Sequence, residues 1–307
     1  MTLILTEAEV EGLLDMPSAL DAVESVLRDQ AEGRATNRAR RRISLPRSGL
    51  NFMAAGAPET GAMGLKVYSV ARSGARFYTM LFDPESGELL CILQSDRLGQ
   101  MRTGAASGVA TRHLAREDAN TLGIYGAGWQ AESQLEAIAA VRDLQRIIVY
   151  SRSEDSRKAF AERMGERLGM EIETTHSADE PAAQEIVVTA TSAREPVLLG
   201  EWLRPGAHVN AAGSNFLFKS EIDREVVRRA SFVCVDSREE LGLETGIILP
   251  EAIYELGQVV AGQVKGRGGP EDITLFSSQG LALEDMAAAR VVYDRAVERG
   301  VGREMEF

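Results

Sequence analysis

The spacing of apolar residues divides the chain into stretches of different character. Near the start, Thr6-Glu7-Ala8-Glu9 has the form of a capping box and predicts a short helix ending near Leu14. Asp15-Met16-Pro17 predicts the start of a longer helix, with Pro in its first turn. Leu20, Val23, Val26 and Leu27 recur at helical spacing and give that helix one apolar face. From about Arg40 the period shortens. Residues 43–45, 50–53, 64–68, 77–82 and 89–93 read as short strands between Gly and Pro breaks, with a strong turn signal at Asp83-Pro84-Glu85-Ser86-Gly87. An antiparallel sheet is expected there.

From about Asp118 strands and helices alternate. Residues 121–125, 146–150, 186–189, 208–212 and 232–235 are short, strongly apolar and rich in Ile and Val, as fully buried parallel strands are. The fold class expected is α/β, with a central Rossmann-type doubly wound parallel sheet over residues 116–282. A second α+β domain is expected from residues 1–115 together with 283–307, because the last helix, at 283–298, follows the alternating region and should return to the N-terminal part. There is no internal repeat and no low-complexity segment.

Composition narrows the function classes. A length of 307 residues suits two domains, and 44% hydrophobic residues suffice for a substantial core. A formal net charge of -12 argues against a nucleic-acid partner, which needs a basic surface. No apolar run approaches the roughly 18 residues of a membrane span. Residues 1–11 carry no positive charge and no signal-peptide core, so a cytoplasmic protein is expected. Cys91 and Cys234 both sit in apolar strand-like runs and are expected to be buried thiols; no metal site is expected.

The strongest local signal is Gly126-Ala127-Gly128-Trp129-Gln130-Ala131, which follows a strand and opens a helix with the spacing G-x-G-x-x-A. Gly126 permits the turn, Gly128 lets the backbone approach a pyrophosphate, and Ala131 lets helix and strand pack closely. The N–H groups of the new helix then face the phosphates of a dinucleotide. The second strand of the unit ends Tyr150-Ser151-Arg152-Ser153. No carboxylate occupies the place that would hold the ribose 2′-hydroxyl of NAD, and a guanidinium stands there instead. NADP is therefore favoured over NAD, with Ser151, Arg152 and Ser153 as its contacts.

The block Asp96-Arg97-Leu98-Gly99-Gln100-Met101-Arg102-Thr103-Gly104-Ala105-Ala106-Ser107, followed by the Gly-Ala-Gly-Trp-Gln turn, resembles the ornithine cyclodeaminase/mu-crystallin family, as do residues 64–67 and 275–282. The likeness runs from the first helices to the last. It implies a central Rossmann domain, a second domain that binds substrate and makes a homodimer, and hydride transfer between nicotinamide and the α-carbon of an amino or imino acid. Residue by residue it implies a carboxylate clamp of Arg40, Lys66 and Arg102. Two guanidinium groups and an ammonium would fix a carboxylate and so place the α-carbon. Arg40 is one of three consecutive arginines, and Arg42, on the same face of a regular strand, is the reserve candidate. Lys66 is the residue expected to polarise the reacting group. Arg42, Arg72 and Arg76 are further candidates for reading a second carboxylate. The resemblance also implies cofactor contacts at Thr189, Ala190, Thr191, Gly213, Ser214, Lys219 and Ser278, and substrate contacts at Gln279 and Asn215.

One departure from the family pattern bears on the reaction. Cyclodeaminases carry an aspartate where this chain reads Asn215, and an amide is no carboxylate base. The reading expected is an NAD(P)-dependent reductase of a small 2-imino acid, or of a 2-oxo acid with an amine, also able to run in reverse as an amino-acid dehydrogenase. The alternatives are a cyclodeaminase with catalytic bound NAD and a non-catalytic, crystallin-like cofactor-binding protein. On the same ground a diamino acid such as ornithine is expected to be a poor substrate, and an acidic side chain is expected to gain from surplus clamp cations.

Overall fold

A computed structural model of the chain describes residues 1–213, 219–244 and 252–306, apart from the side chains of 242–244. They form two compact units, Met1–Thr103 with Gly280–Phe307, and Gly104–Gln279. The chain begins with β1 (Thr2–Leu5), α1 (Glu7–Leu13) and α2 (Met16–Ala31). Five strands follow: β2 (Thr36–Ser44), β3 (Ser48–Ala57), β4 (Ala62–Ala71), β5 (Gly74–Phe82) and β6 (Leu89–Gln94). Helix α3 (Asp96–Leu114) comes next, and the boundary between the units falls inside it. The second unit holds β7 (Thr121–Tyr125), α4 (Trp129–Val141), β8 (Arg146–Tyr150), α5 (Glu154–Leu168), β9 (Glu173–Thr175), β10 (Ile186–Thr189) and β11 (His208–Ala211). It closes with α6 (Arg224–Arg229), β12 (Ala230–Val235), α7 (Arg238–Glu244), β13 (Tyr254–Glu255), α8 (Leu256–Val260) and β14 (Ile273–Ser277). Helix α9 (Ala282–Arg299) and β15 (Arg303–Met305) belong again to the first unit.

In the first unit the strand order is β15-β1-β6-β5-β4-β3-β2. Strands β2 to β6 form the expected antiparallel run, while β1 joins β6 in parallel and β15 pairs with β1. β1 and β15 span only four and three residues, too short to show a period of their own. The final helix returns as expected and packs on α2, β3 and β4. Its buried face is rich in alanine, Ala282, Ala287, Ala288, Ala289 and Ala296 among them, and small side chains let a helix lie close to a sheet. The expected capping box holds at Thr6 and Glu9, where the Thr6 N–H donates to the Glu9 carboxylate at 2.7 Å.

The second unit is a parallel sheet in the order β13-β12-β14-β11-β10-β7-β8-β9. The order reverses between β7 and β10, the switch point at which ligands bind in doubly wound sheets. Strand β14 had no counterpart in the sequence reading, although it is fully buried between β11 and β12. Both cysteines are buried and free. Among the described residues no helix is long and apolar enough to cross a membrane.

A polar network ties β11 and β14 to the second half of α3. His208 is fully buried; its Nδ1 lies 2.9 Å from Thr274 Oγ1 and its Nε2 3.2 Å from Asn210 Oδ1. Asn210 Nδ2 donates to Thr111 Oγ1 at 2.9 Å. A neutral ring with its proton on Nε2 satisfies both contacts, and burial, aided by the Arg267 charge, pushes the imidazole down to about 3. The unfolded chain, with an ordinary histidine near 6.5, therefore binds the extra proton first as pH falls. Stability should decline from about pH 6.5 towards pH 3, by at most about 1.4 kcal/mol per pH unit for this group. Urea midpoints at pH 7 and pH 5 should differ less in His208→Gln than in the unmodified protein; equal slopes would contradict the assignment.

Candidate functional site

The turn after β7 has the geometry its sequence calls for. Gly126 adopts φ +111, and a Cβ there would collide with the Ala190 carbonyl after β10. Only glycine fits that close approach. Gly128 caps α4, is exposed, and would direct a Cβ into open space. An incoming pyrophosphate can thus meet bare backbone at the start of a helix of 13 residues. Ala131 is fully buried in the helix–sheet packing. Ala127 and Gln130 are half-buried, and Trp129 presents an exposed indole at the same end of α4.

The next crossover ends in Ser151, Arg152 and Ser153. Ser153 Oγ accepts from Ser156 N–H at 3.2 Å and caps α5. Arg152 is exposed. The sequence reading missed Arg157, which is buried one turn later, donates to the Ser151 carbonyl at 2.9 Å and meets His176. It braces the loop from behind.

A buried carboxylate organises the other side of the crevice. Glu221 accepts from Thr191 N–H at 2.5 Å, Thr191 Oγ1 at 2.6 Å, Thr189 Oγ1 at 3.0 Å and Gly213 N–H at 2.7 Å. One side chain so fixes the residues that follow β10 and β11. Burial raises its pKa above the ordinary carboxylate value, and the hydrogen bonds from Thr191, Thr189 and Gly213 pull the other way. Asp236, buried after β12, plays the same part for β14: it accepts from Gln279 N–H, and from Ser278 Oγ at 3.2 Å. Gln279 Nε2 in turn donates to the Ser277 carbonyl at 2.6 Å. Neither Glu221 nor Asp236 carries a local sequence signal. Lys219 is half-buried, and Ser214 and Asn215 lie outside the described residues.

In the first unit the three clamp cations come from three separate elements and are all buried. Arg40 on β2 is 5% exposed, Lys66 on β4 is 3%, and Arg102 on α3 is 6%. Arg40 and Arg42 do not share a face, contrary to the period-two expectation. The pairing of β2 with β3 slips between Arg38↔Ala54 and Arg41↔Phe52, so two residues of β2 stand against one of β3. This bulge buries Ala39 and Arg40 in succession and leaves Arg41 and Arg42 exposed. Arg102 lies within a 19-residue helix.

The clamp also carries carboxylates that its sequence did not announce. Lys66 Nζ donates to Asp285 Oδ1 at 2.7 Å, and Arg102 Nε reaches the same oxygen at 3.1 Å. Arg102 Nη1 donates to Glu284 Oε2 at 2.8 Å. Both carboxylates are fully buried in the first turn of α9. Arg40 Nη2 lies 3.5 Å from the Gly280 carbonyl. Gly280 has φ +80, and a Cβ there would sit 2.5 Å from Arg102 Nη1. At least two carboxylates therefore lie among the clamp cations. Burial pushes Lys66 down to about 8; Asp285 pulls it up, while Arg102 and Arg40 push it down. Arg72 and Arg76 are exposed, as Arg42 is.

The family model for the ornithine cyclodeaminase/mu-crystallin family matches residues 1–300. A Delta(1)-pyrroline-2-carboxylate reductase of Bacillus cereus is 39% identical over 264 residues, covering 80% of this chain and 81% of its own. The solved structure of the Thermococcus litoralis Delta(1)-pyrroline-2-carboxylate reductase with NADH and L-proline superposes with a TM-score of 0.94 at 36% identity, covering 99% of this chain and 100% of that one. An archaeal alanine dehydrogenase dimer with bound NAD gives a TM-score of 0.93 at 33% identity, covering 100% and 99%. With a matching model over nearly its whole length and relatives of this identity, the chain belongs to the ornithine cyclodeaminase/mu-crystallin family.

Proposed function

We propose that the protein is an NAD(P)-dependent reductase of a small cyclic or open-chain 2-imino acid, and that it returns the amino acid. The observation that carries this reading is the buried clamp, in which Arg40, Lys66 and Arg102 are gathered away from solvent where a substrate carboxylate could be held. The two relatives named as Delta(1)-pyrroline-2-carboxylate reductases, one of them bound to NADH and L-proline, support the same class.

The residues around Gly126 and Gly128 fit a dinucleotide, because the turn is bare of side chains where a phosphate would meet α4. When bound, the nicotinamide supplies the hydride for the α-carbon. Gly126 to Gln130 would hold the phosphates, Thr189 to Thr191 and Gly213 would line the crevice, and Ser278 would approach the nicotinamide. Arg40, Lys66 and Arg102 hold the carboxylate and fix the α-carbon. Lys66 is the group able to give a proton to the imine nitrogen, and Gln279 approaches the substrate. Arg152 is exposed after β8, and a guanidinium there would suit a 2′-phosphate, which supports NADP.

Absorbance at 340 nm tests the reading directly. With Delta(1)-pyrroline-2-carboxylate, and with 2-oxo acids plus ammonia or methylamine, NADPH or NADH should be consumed stoichiometrically. Ornithine with catalytic NAD+ should yield little proline. Proline formation from ornithine at a rate comparable with the best reduction would overturn the reductase reading. In the same assay Arg152→Ala should weaken NADPH about tenfold or more while sparing NADH, the worth of one charge-assisted hydrogen bond; equal losses would remove Arg152 from cofactor choice.

We also propose a homodimer that covers the outer face of β2 to β5. Ile43, Leu50, Phe52 and Tyr78 are exposed there on paired positions of neighbouring strands, with Val67 between Phe52 and Tyr78. A contiguous apolar face of this kind calls for a partner, and the similar archaeal alanine dehydrogenase is a dimer. Sedimentation should give twice the chain mass of 33.3 kDa, and Phe52→Glu should shift it towards one chain; a monomer in the unmodified protein would contradict this.

A further inference from the structure

We propose that Asp285 is a positioning residue of the reaction, whose single oxygen Oδ1 holds the Lys66 ammonium beside the Arg102 guanidinium, so that proton supply and carboxylate anchoring depend on one side chain. The inference rests on the reductase reading above for its kinetic part, and its structural part stands without it.

The geometry separates Asp285 from its neighbour. Glu284 touches Arg102 at 2.8 Å, whereas Asp285 bridges Lys66 at 2.7 Å and Arg102 at 3.1 Å. Lys66 is enclosed from several elements: Arg40 from β2, Arg102 from α3, Asp285 from α9, and the Phe77 ring from β5, whose centroid lies 5.3 Å from Nζ. Of these groups only Asp285 is negative. Burial and the two arginines favour a neutral amine, and Asp285 is the counterweight that keeps the ammonium.

Asp285 is fully buried, and its Oδ2 has no hydrogen-bond partner among the described residues. Its removal alone would leave two buried cations short of a partner and lower stability, so its role in the reaction is read from a titration and not from stability. What Asp285 provides is the state and place of Lys66. Gly99 narrows the place further, since a Cβ there would stand 3.1 Å from Nζ. In the reduction, hydride goes to the α-carbon and the proton on Lys66 Nζ goes to the imine nitrogen. Lys66 is left neutral and regains its proton from solvent before the next turnover.

The test uses isotope-labelled lysine. The chain has four lysines, Lys66, Lys158, Lys219 and Lys265, so the Lys66 signal can be assigned by comparison with Lys66→Met. In the full-length protein without substrate, Asp285→Asn should lower the Lys66 titration midpoint by a pH unit or more, which is a tenfold loss of proton affinity. Glu284→Gln should leave it in place. With Delta(1)-pyrroline-2-carboxylate, Asp285→Asn should move the alkaline limb of kcat to lower pH by a similar amount, Asp285→Glu should restore it in part, and Glu284→Gln should raise KM without moving the limb. Should Asp285→Asn not fold, Asp285→Glu carries the question alone: a longer arm should shift the Lys66 midpoint measurably. An unchanged midpoint in either folded Asp285 variant would overturn the proposal. A shifted midpoint in a protein that reduces no imino acid would uphold the pairing and overturn the reductase reading instead.

Discussion

Three buried cations are the constraint on which the first unit is built. Arg40, Lys66 and Arg102 are each at least nine-tenths buried, and desolvating one charge costs several kcal/mol unless a partner meets it. The partners arrive from the far end of the sequence. Glu284 and Asp285 stand in the first turn of α9, where the helix N-terminus also favours negative charge. Helix α9 therefore does more than cover the sheet. Its return to β3, β4 and α2 delivers the two carboxylates that make the clamp tolerable.

The second unit meets a different demand, that of holding loops still at the carboxyl ends of parallel strands. Backbone there leaves the sheet and has no ladder partner. Glu221 fixes the ends of β10 and β11 with four hydrogen bonds, and Asp236 fixes the end of β14 through Ser278 and Gln279. Both are second in line behind the residues that would touch a cofactor. Glu221 does so by holding threonine and glycine in place, and Asp236 by holding serine and glutamine.

How much of this was legible follows from the range of each signal. The Gly126 to Ala131 turn, the strands around it and the burial of Lys66 are local properties, so pattern and spacing displayed them. Strand β14 was hidden, because one short apolar run of five residues has too few positions to declare a period. Arg40 and Arg42 could not be separated by alternation, since a β-bulge breaks the alternation at that point. Glu284 and Asp285 read as ordinary acidic residues at a helix start; only the fold shows them beside cations about 180 to 220 positions earlier in the chain. The carboxylates beside the clamp cations were therefore missed from sequence.

The central claim is that a carboxylate is what the buried clamp recognises, and the most direct measurement is a comparison of ligands that differ only there. With the cofactor present, calorimetric titration of L-proline against pyrrolidine isolates that group. The account predicts that pyrrolidine binds at least a hundredfold more weakly, about 2.7 kcal/mol, and that Arg102→Met abolishes most of the difference. Equal affinity for the two ligands in the unmodified protein would contradict it.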